Sequence, residues 1–237
     1  MEININCDLG EKSKIHSNKN DPDLLNIVNS ANVACGYHAG DEESMNQVVE
    51  ISKKNGVSIG AHPSFKDPEN FGRKRMNLSS LEIRKLIIDQ YEILQKIADK
   101  YGEKVTHIKP HGALNNMACK DPVLAQVIVS YVKQHYPELI MLAPVLSELA
   151  KASQTAGLVT ALEVFADRTY EDDGTLTPRS IEGSLITDPL QASNHVKNMI
   201  EEKAIMGDND GTSRVIKQRL FEHINDRILI YPRDGKN

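Results

Sequence analysis

Hydrophobic positions along the chain change period again and again. Short runs of β-branched residues give way to longer stretches with an apolar residue every third or fourth position. The short runs fall at Ile3–Cys7, Asn32–Cys35, Val57–Ile59, Val105–Ile108, Leu139–Leu142, Leu158–Val164 and Arg227–Tyr231, with a weaker one at Ser184–Ile186, and each predicts a strand. The most regular helical stretch opens on the capping box Ser79-Ser80-Leu81-Glu82. It carries Ile83, Leu86, Ile87, Tyr91, Leu94, Ile97 and Ala98 on one stripe and stops at Gly102. A second runs from Asp41 to Asn55-Gly56. Asp121-Pro122 and Asp188-Pro189 each set a capping aspartate before a proline suited to the first helical position.

Strands alternating with helices make a parallel sheet. Seven or eight such units in 237 residues favour closure into an α/β fold of the parallel β/α-barrel type, one domain over residues 1–237, with an open doubly wound sheet as the alternative. Hydrophobic content of 40% and charged content of 26% exclude wholesale disorder. A net charge of −5 argues against nucleic-acid or anionic-membrane partners. No apolar run reaches the roughly 20 residues that span a bilayer, and Met-Glu-Ile-Asn-Ile-Asn-Cys-Asp is no secretion signal. Three widely spaced cysteines (Cys7, Cys35, Cys119) without a CxxC pair suit a reduced, cytoplasmic protein.

The chemistry gathers where strands end. Asn6-Cys7-Asp8-Leu9-Gly10-Glu11, Cys35-Gly36-Tyr37-His38-Ala39-Gly40-Asp41, Gly60-Ala61-His62-Pro63, Lys109-Pro110-His111-Gly112 and Glu163-Val164-Phe165-Ala166-Asp167-Arg168 each follow a strand. Parallel α/β folds build their sites on that face. His38, His62 and His111, three of the eight histidines, lie there; His16, His135, His195 and His223 read as surface or packing residues, and His107 as core or support. Lys109 and His111 flank Pro110 and so face one side, where a buried lysine needs an anion such as Asp8, Glu163 or Asp167, or a ligand's carboxylate or phosphate. A structural ion pair is the competing account of Lys109, and helix capping that of Asp41. The long segment Asp167–Ser184, with a turn at Asp172-Asp173-Gly174, offers Arg168 and Arg179, and the loop Pro63–Met76 offers Arg73, for bidentate capture of an anion.

No GxxxxGK[ST], GxGxxG, GxSxG or HExxH motif occurs, although Asp8, His38, Asp41 and His62 are suitable types for a hydrolytic divalent metal, with Asp8, His38 and His62 the metal candidates. Chemistry alone thus points to a hydrolase of a small anionic or amide-like substrate, working by acid–base groups with or without a metal.

The motifs NCDLGE, SANVACGYHAGD, GAHP, FGR, KPHGAL, EVFADR and DGTLTPRS, in this order over roughly residues 1–190, closely resemble those of the LamB/YcsF family. The resemblance implies a β/α barrel related to glycoside hydrolase and carbohydrate deacetylase barrels. It also implies ATP-dependent hydrolysis of 5-oxo-L-proline (pyroglutamate) to L-glutamate, with magnesium, in a multi-subunit enzyme whose A subunit works with subunits B and C. Lys109, Arg168, Arg179 and Arg73 would then hold carboxylate and phosphoryl charge. Asp8, His111, Glu163 and Asp167 would activate water and protonate the ring nitrogen, and His38, Asp41 and His62 would complete the polar floor or bind a metal.

The chain departs from the family pattern at Asn115, where an aromatic is usual, at the basic stretch Lys12-Ser13-Lys14-Ile15-His16, and at the C-terminus. There Tyr231 stands near a family histidine and Asp234 near its aspartate, with no closing helix beyond, so a homo-oligomer or partner subunit is expected to cover that side. Two other readings follow: an autonomous metal-dependent amide or N-acetyl hydrolase, and a weakened paralogue that binds ligand without turning it over.

Overall fold

The computed structural model describes residues 2–14, 16–171, 174–202, 205–207, 214–216 and 227–231. Strand β1 (Glu2–Leu9) leads through the short helix α1 (Asp21–Leu24) to β2 (Ser30–Ala34), α2 (Glu42–Asn55) and β3 (Ser58–His62). Then come α3 (Ser80–Lys100), β4 (Val105–Ile108), α4 (Gly112–Ala118), α5 (Pro122–His135), β5 (Ile140–Pro144), α6 (Glu148–Thr155) and β6 (Thr160–Phe165). Helix α7 (Pro189–Glu202), the small strands β7 (Ile205–Gly207) and β8 (Arg214–Ile216), and β9 (Arg227–Tyr231) complete the described order.

Strands β1 to β6 run parallel in sequence order, and β9 pairs parallel with both β6 and β1, so the sheet closes as a barrel. Closure decides between the two architectures the pattern allowed. Among the described residues, the seven barrel strands match the expected runs within a few residues, but Ser184–Ile186 forms no strand. Leu185 makes only an isolated antiparallel bridge to Arg168. The antiparallel pair β7–β8 was not expected. Asp172 and Asp173 of the expected turn, His223, and the C-terminal residues from 232 onward, including Asp234, lie outside the described residues.

The caps act as their chemistry dictates. Asp41 accepts from the Ser44 amide at 2.8 Å, and α2 ends on Gly56 in the left-handed region. Ser79 and Glu82 exchange both capping-box bonds. The whole expected stripe of α3 is buried, and Gln90 is buried with it. Its amide group accepts from the Ser64 N–H (3.0 Å) and donates to the Ser64 carbonyl (2.8 Å), tying the loop after β3 to the helix.

The outer faces of the strands pack beneath the helices in one continuous apolar core containing Leu9, Val33, Ile59, Ile108 and Met141. The interior is different. Lys109, just past β4, reaches Asn6 and Asp8 on β1 and Glu163 on β6, strands that are not its neighbours in the sheet. Such contacts cross the lumen. Asn32 on β2 donates to Asn6 (2.6 Å) and Asp8 (3.0 Å) and meets His107 Nε2 at 3.1 Å. The barrel is therefore filled at this level by a hydrogen-bonded polar network instead of layered aliphatic side chains. Gly60 makes room for it, because a Cβ there would lie 2.1 Å from the His107 ring.

Candidate active site

The network surfaces at the carboxyl end of the barrel, as the floor of a cavity of about 510 Å³. Asp8, Glu11, His62, Lys109 and His111 line its base, and Arg73, Lys120 and Arg179 stand on its walls. Further wall comes from α4 through Gly112, Asn115 and Asn116, from the end of β5 and the turn after it, Pro144–Ser147, and from the end of β6 and the segment after it, through Phe165, Tyr170 and Thr175–Arg179.

Lys109 is buried and pairs with Glu163 at 2.7 Å and Asp8 at 3.1 Å. Burial works against its charge, but the two carboxylates outweigh burial and hold the ammonium above its usual range. The carboxylates do not share this benefit equally. Burial pushes Asp8 up, yet His62 and Lys109 together hold it well below the normal carboxylate range. Glu163 is pushed up by burial, which Lys109 only partly offsets. Asp8 is thus the firmly ionised member, and Glu163 belongs beneath Lys109, outside the cavity's lining.

Beside Asp8 lies a group of three imidazoles and a carboxylate. His62 Nε2 is 3.1 Å from Asp8 and 2.9 Å from His111 Nδ1. Glu11 Oε1 is 2.9 Å from His38 Nε2, 3.4 Å from His111 Nδ1 and 3.8 Å from His62 Nε2. His38 stacks on His111 with centroids 3.8 Å apart. The ligand atoms of Glu11, His38, His62 and His111 all lie within 4.8 Å of one another, a spacing that can hold one metal ion. Burial lowers the basicity of all three rings. Only His62 ends above its usual value, because the charge of Asp8 and its hydrogen bond overcome burial. His38 and His111 fall well below theirs through burial and the neighbouring imidazoles.

Two motifs shape this corner by close backbone packing. Phe71 adopts φ 55° and points its carbonyl at His111 Nε2, 3.0 Å away. Gly72, at φ +65°, leaves no space for a side chain, because a Cβ would meet Ser64 Oγ at 2.1 Å. Its carbonyl accepts from the Ala113 N–H at 2.9 Å, so the FGR and KPHGAL segments lock together.

Not every expected site residue comes to the cavity. Asp41 is exposed, caps α2 and lies 3.6 Å from Lys12, so its place is structural and not on the polar floor. Asp167 is buried outside the lining. Arg168 touches the cavity but directs Nε and Nη2 to the carbonyls of Ser184 and Thr177, which makes it a strut of the loop after β6. His38 sits behind His111, outside the lining. Glu11, the centre of the imidazole group, was missing from the expected residues, although it ends the NCDLGE motif. Lys120 was missing too, and no sequence signal marks it.

His107 offers a clean titration. Burial, and then the Lys109 charge, push its imidazole down to about 3. The unfolded chain takes up a proton near pH 6.5 that the native state refuses, so this contribution is intact above pH 6.5 and is lost as pH falls toward 3. At pH 5 the loss from His107 is about 2 kcal/mol. His38 and His111 act in the same sense, and His62, Glu11 and Glu163, all raised, in the opposite one. His107→Gln therefore isolates the effect. Urea denaturation at pH 7 and pH 5 should show the variant losing about 2 kcal/mol less than the wild type; equal losses would refute it.

The LamB/YcsF family model matches residues 3–220. A curated relative from Rhodopseudomonas palustris (strain ATCC BAA-98 / CGA009), named as the A subunit of 5-oxoprolinase, is 42% identical over 220 residues, covering 92% of this chain and 85% of its own. A protein of the same name from Brevibacillus brevis is 43% identical over 204 residues, covering 86% of this chain and 80% of its own. The crystal structure of the lactam utilization protein from Thermus thermophilus superposes with a TM-score of 0.85 at 33% identity, over 98% of this chain and 91% of that one.

Proposed function

The chain belongs to the LamB/YcsF family, and on that premise we propose that it is the A subunit of a 5-oxoprolinase. The reaction is ATP-dependent hydrolysis of 5-oxo-L-proline to L-glutamate, with magnesium, in the cytoplasm and in complex with subunits B and C. The barrel is then a relative of the glycoside hydrolase and deacetylase barrels. One observation carries the reading: a carboxylate, an imidazole and a buried ammonium, Asp8, His62 and Lys109, share the floor of a cavity walled by cations.

A lactam is a stable amide, and two things are needed to open it: a more electrophilic carbonyl carbon and a proton for the departing nitrogen. Transfer of the ATP γ-phosphoryl group to the lactam oxygen supplies the first. Water then adds to the activated carbon, the C–N bond breaks with a proton delivered to nitrogen, and a second water hydrolyses the resulting acyl phosphate to glutamate and phosphate. In this reading Asp8 accepts the proton of the attacking water, and His62, when Nε2 carries a proton, donates one to the ring nitrogen. Lys109 stabilises negative charge on the reacting oxygens, and Arg73 and Arg179 hold the substrate carboxylate or the phosphoryl group. Glu163 acts through Lys109 as a positioning residue.

The test is glutamate release from 5-oxoproline by this chain combined with subunits B and C. Glutamate that requires ATP, magnesium and this chain is the expected result; none from the intact complex would refute the proposal. The imidazole–carboxylate group favours a second reading, a metal-dependent amide or N-acetyl hydrolase acting alone. Deacetylation by the isolated chain without ATP would favour that one.

A further inference from the structure

We propose that Glu11, His62 and His111 bind one divalent transition-metal ion of the zinc class, with open coordination positions facing the cavity. Backbone carbonyls fix where the ring protons must be. His62 Nδ1 lies 2.7 Å from the Lys109 carbonyl, and His111 Nε2 lies 3.0 Å from the Phe71 carbonyl. A carbonyl oxygen only accepts, so each of these nitrogens carries its ring's proton. The remaining nitrogens, His62 Nε2 and His111 Nδ1, are 2.9 Å apart, and in neutral rings both present lone pairs. Two lone pairs at hydrogen-bonding distance, beside the Glu11 and Asp8 carboxylates, require a positive species between them. Either a third proton or a metal ion provides it.

The geometry points to the metal. Donors bound to zinc at 2.0–2.2 Å in a tetrahedral arrangement stand about 3.3–3.6 Å apart. The three separations here, 2.9, 3.4 and 3.8 Å, bracket that range. Two imidazoles and a glutamate form a donor set that catalytic zinc sites use, with the fourth position left for water or substrate. Hydrogen bonds from the far side of each ligating ring to a carbonyl are the usual support of such sites. Glu11, His62 and His111 all line the cavity, which gives the ion a way in.

His38 is assigned a positioning role. Its Nδ1 is buried and has no hydrogen-bond partner among the described residues, so a proton forced onto that nitrogen by ligation at Nε2 would be left unsatisfied. With the proton on Nε2, His38 instead donates to Glu11 Oε1 at 2.9 Å and orients the ligand carboxylate.

The inference concerns the site of the proposed reaction and rests on that reading only for the ion's role, not for its binding; an ion on His62 Nε2 takes the place of the proton there, so the ion-bound site leaves protonation of the ring nitrogen to a group other than His62. The full-length chain, stripped with a chelator and dialysed, is titrated with Zn²⁺ and separately with Co²⁺, with no substrate, nucleotide or partner present. One ion per chain is expected, and Co²⁺ should give the visible absorption of a four- or five-coordinate N/O site. His62→Ala and His111→Ala should each weaken binding at least about 100-fold. His38→Phe, which keeps the stack on His111, should retain the one-to-one ratio with affinity about 10–100-fold lower. If an alanine variant fails to fold, Glu11→Gln serves in its place, with the same loss expected. No bound ion in the wild type would mean that a shared proton fills the gap, and the proposal fails. Undiminished binding by His62→Ala/His111→Ala would place the ion elsewhere and also overturn it. A chain that binds zinc yet supports no glutamate release leaves this inference standing and removes the functional one.

Discussion

Lys109→Met should cost the fold about 3–5 kcal/mol, the usual penalty when one partner of a buried ion pair is removed and the other stays. The side chain is apolar and similar in volume, so packing is nearly conserved and the loss is electrostatic. Glu163, fully buried, would keep its charge without the 2.7 Å ammonium, or take up a proton at the expense of its hydrogen bonds. Asp8 would retain His62 and Asn32 and suffer less. For a chain of this size the fall in melting temperature is about 6–20 °C. Lys109→Met/Glu163→Gln should recover part of it, because the second change removes the stranded charge. Denaturation of the two variants side by side checks this. A double variant less stable than Lys109→Met would show that Glu163 contributes by more than its charge.

The barrel and much of its floor could be read in the sequence, for a physical reason. Parallel strands covered on both faces have to be short and continuously apolar on their helix-facing side, and the caps of α2, α3 and α5, with Asp188 accepting from the Gln191 amide at the start of α7, follow from local side-chain chemistry. The alternation Lys109-Pro110-His111 placed both side chains on one side, and both line the cavity. What the sequence hid depends on tertiary placement. Asp41 is of the right residue type in the right stretch, yet two local bonds from Ser44 make it a cap. Arg168 was expected to take an anion, but the loop after β6 folds back and offers it carbonyls instead. Glu11 lies just beyond Gly10, whose φ of +70° turns the chain so that the carboxylate meets imidazoles from three other strand ends. Nothing in the spacing of NCDLGE reveals that turn.

Asp8→Asn should lower glutamate formation by about 10²–10⁴-fold, the range for losing a general acid or base, while the fold survives. The amide is nearly isosteric and can still accept from Lys109, but it cannot take a proton from water. Asp8 is held well below the normal carboxylate range, so its own protonation should not limit the wild-type rate anywhere near neutral pH. The group that sets the profile there is His62, raised above its usual value by the Asp8 charge against the opposing effect of burial. If His62 supplies the proton to the leaving nitrogen, activity is present below its raised pKa and is lost as pH rises through it. Removing the Asp8 charge takes away what raises it. The alkaline limb of the residual Asp8→Asn activity should therefore move to lower pH. A pH–rate profile of both proteins measures this. A limb that stayed in place while the rate collapsed would separate Asp8 from His62 and assign the nitrogen's proton to another group.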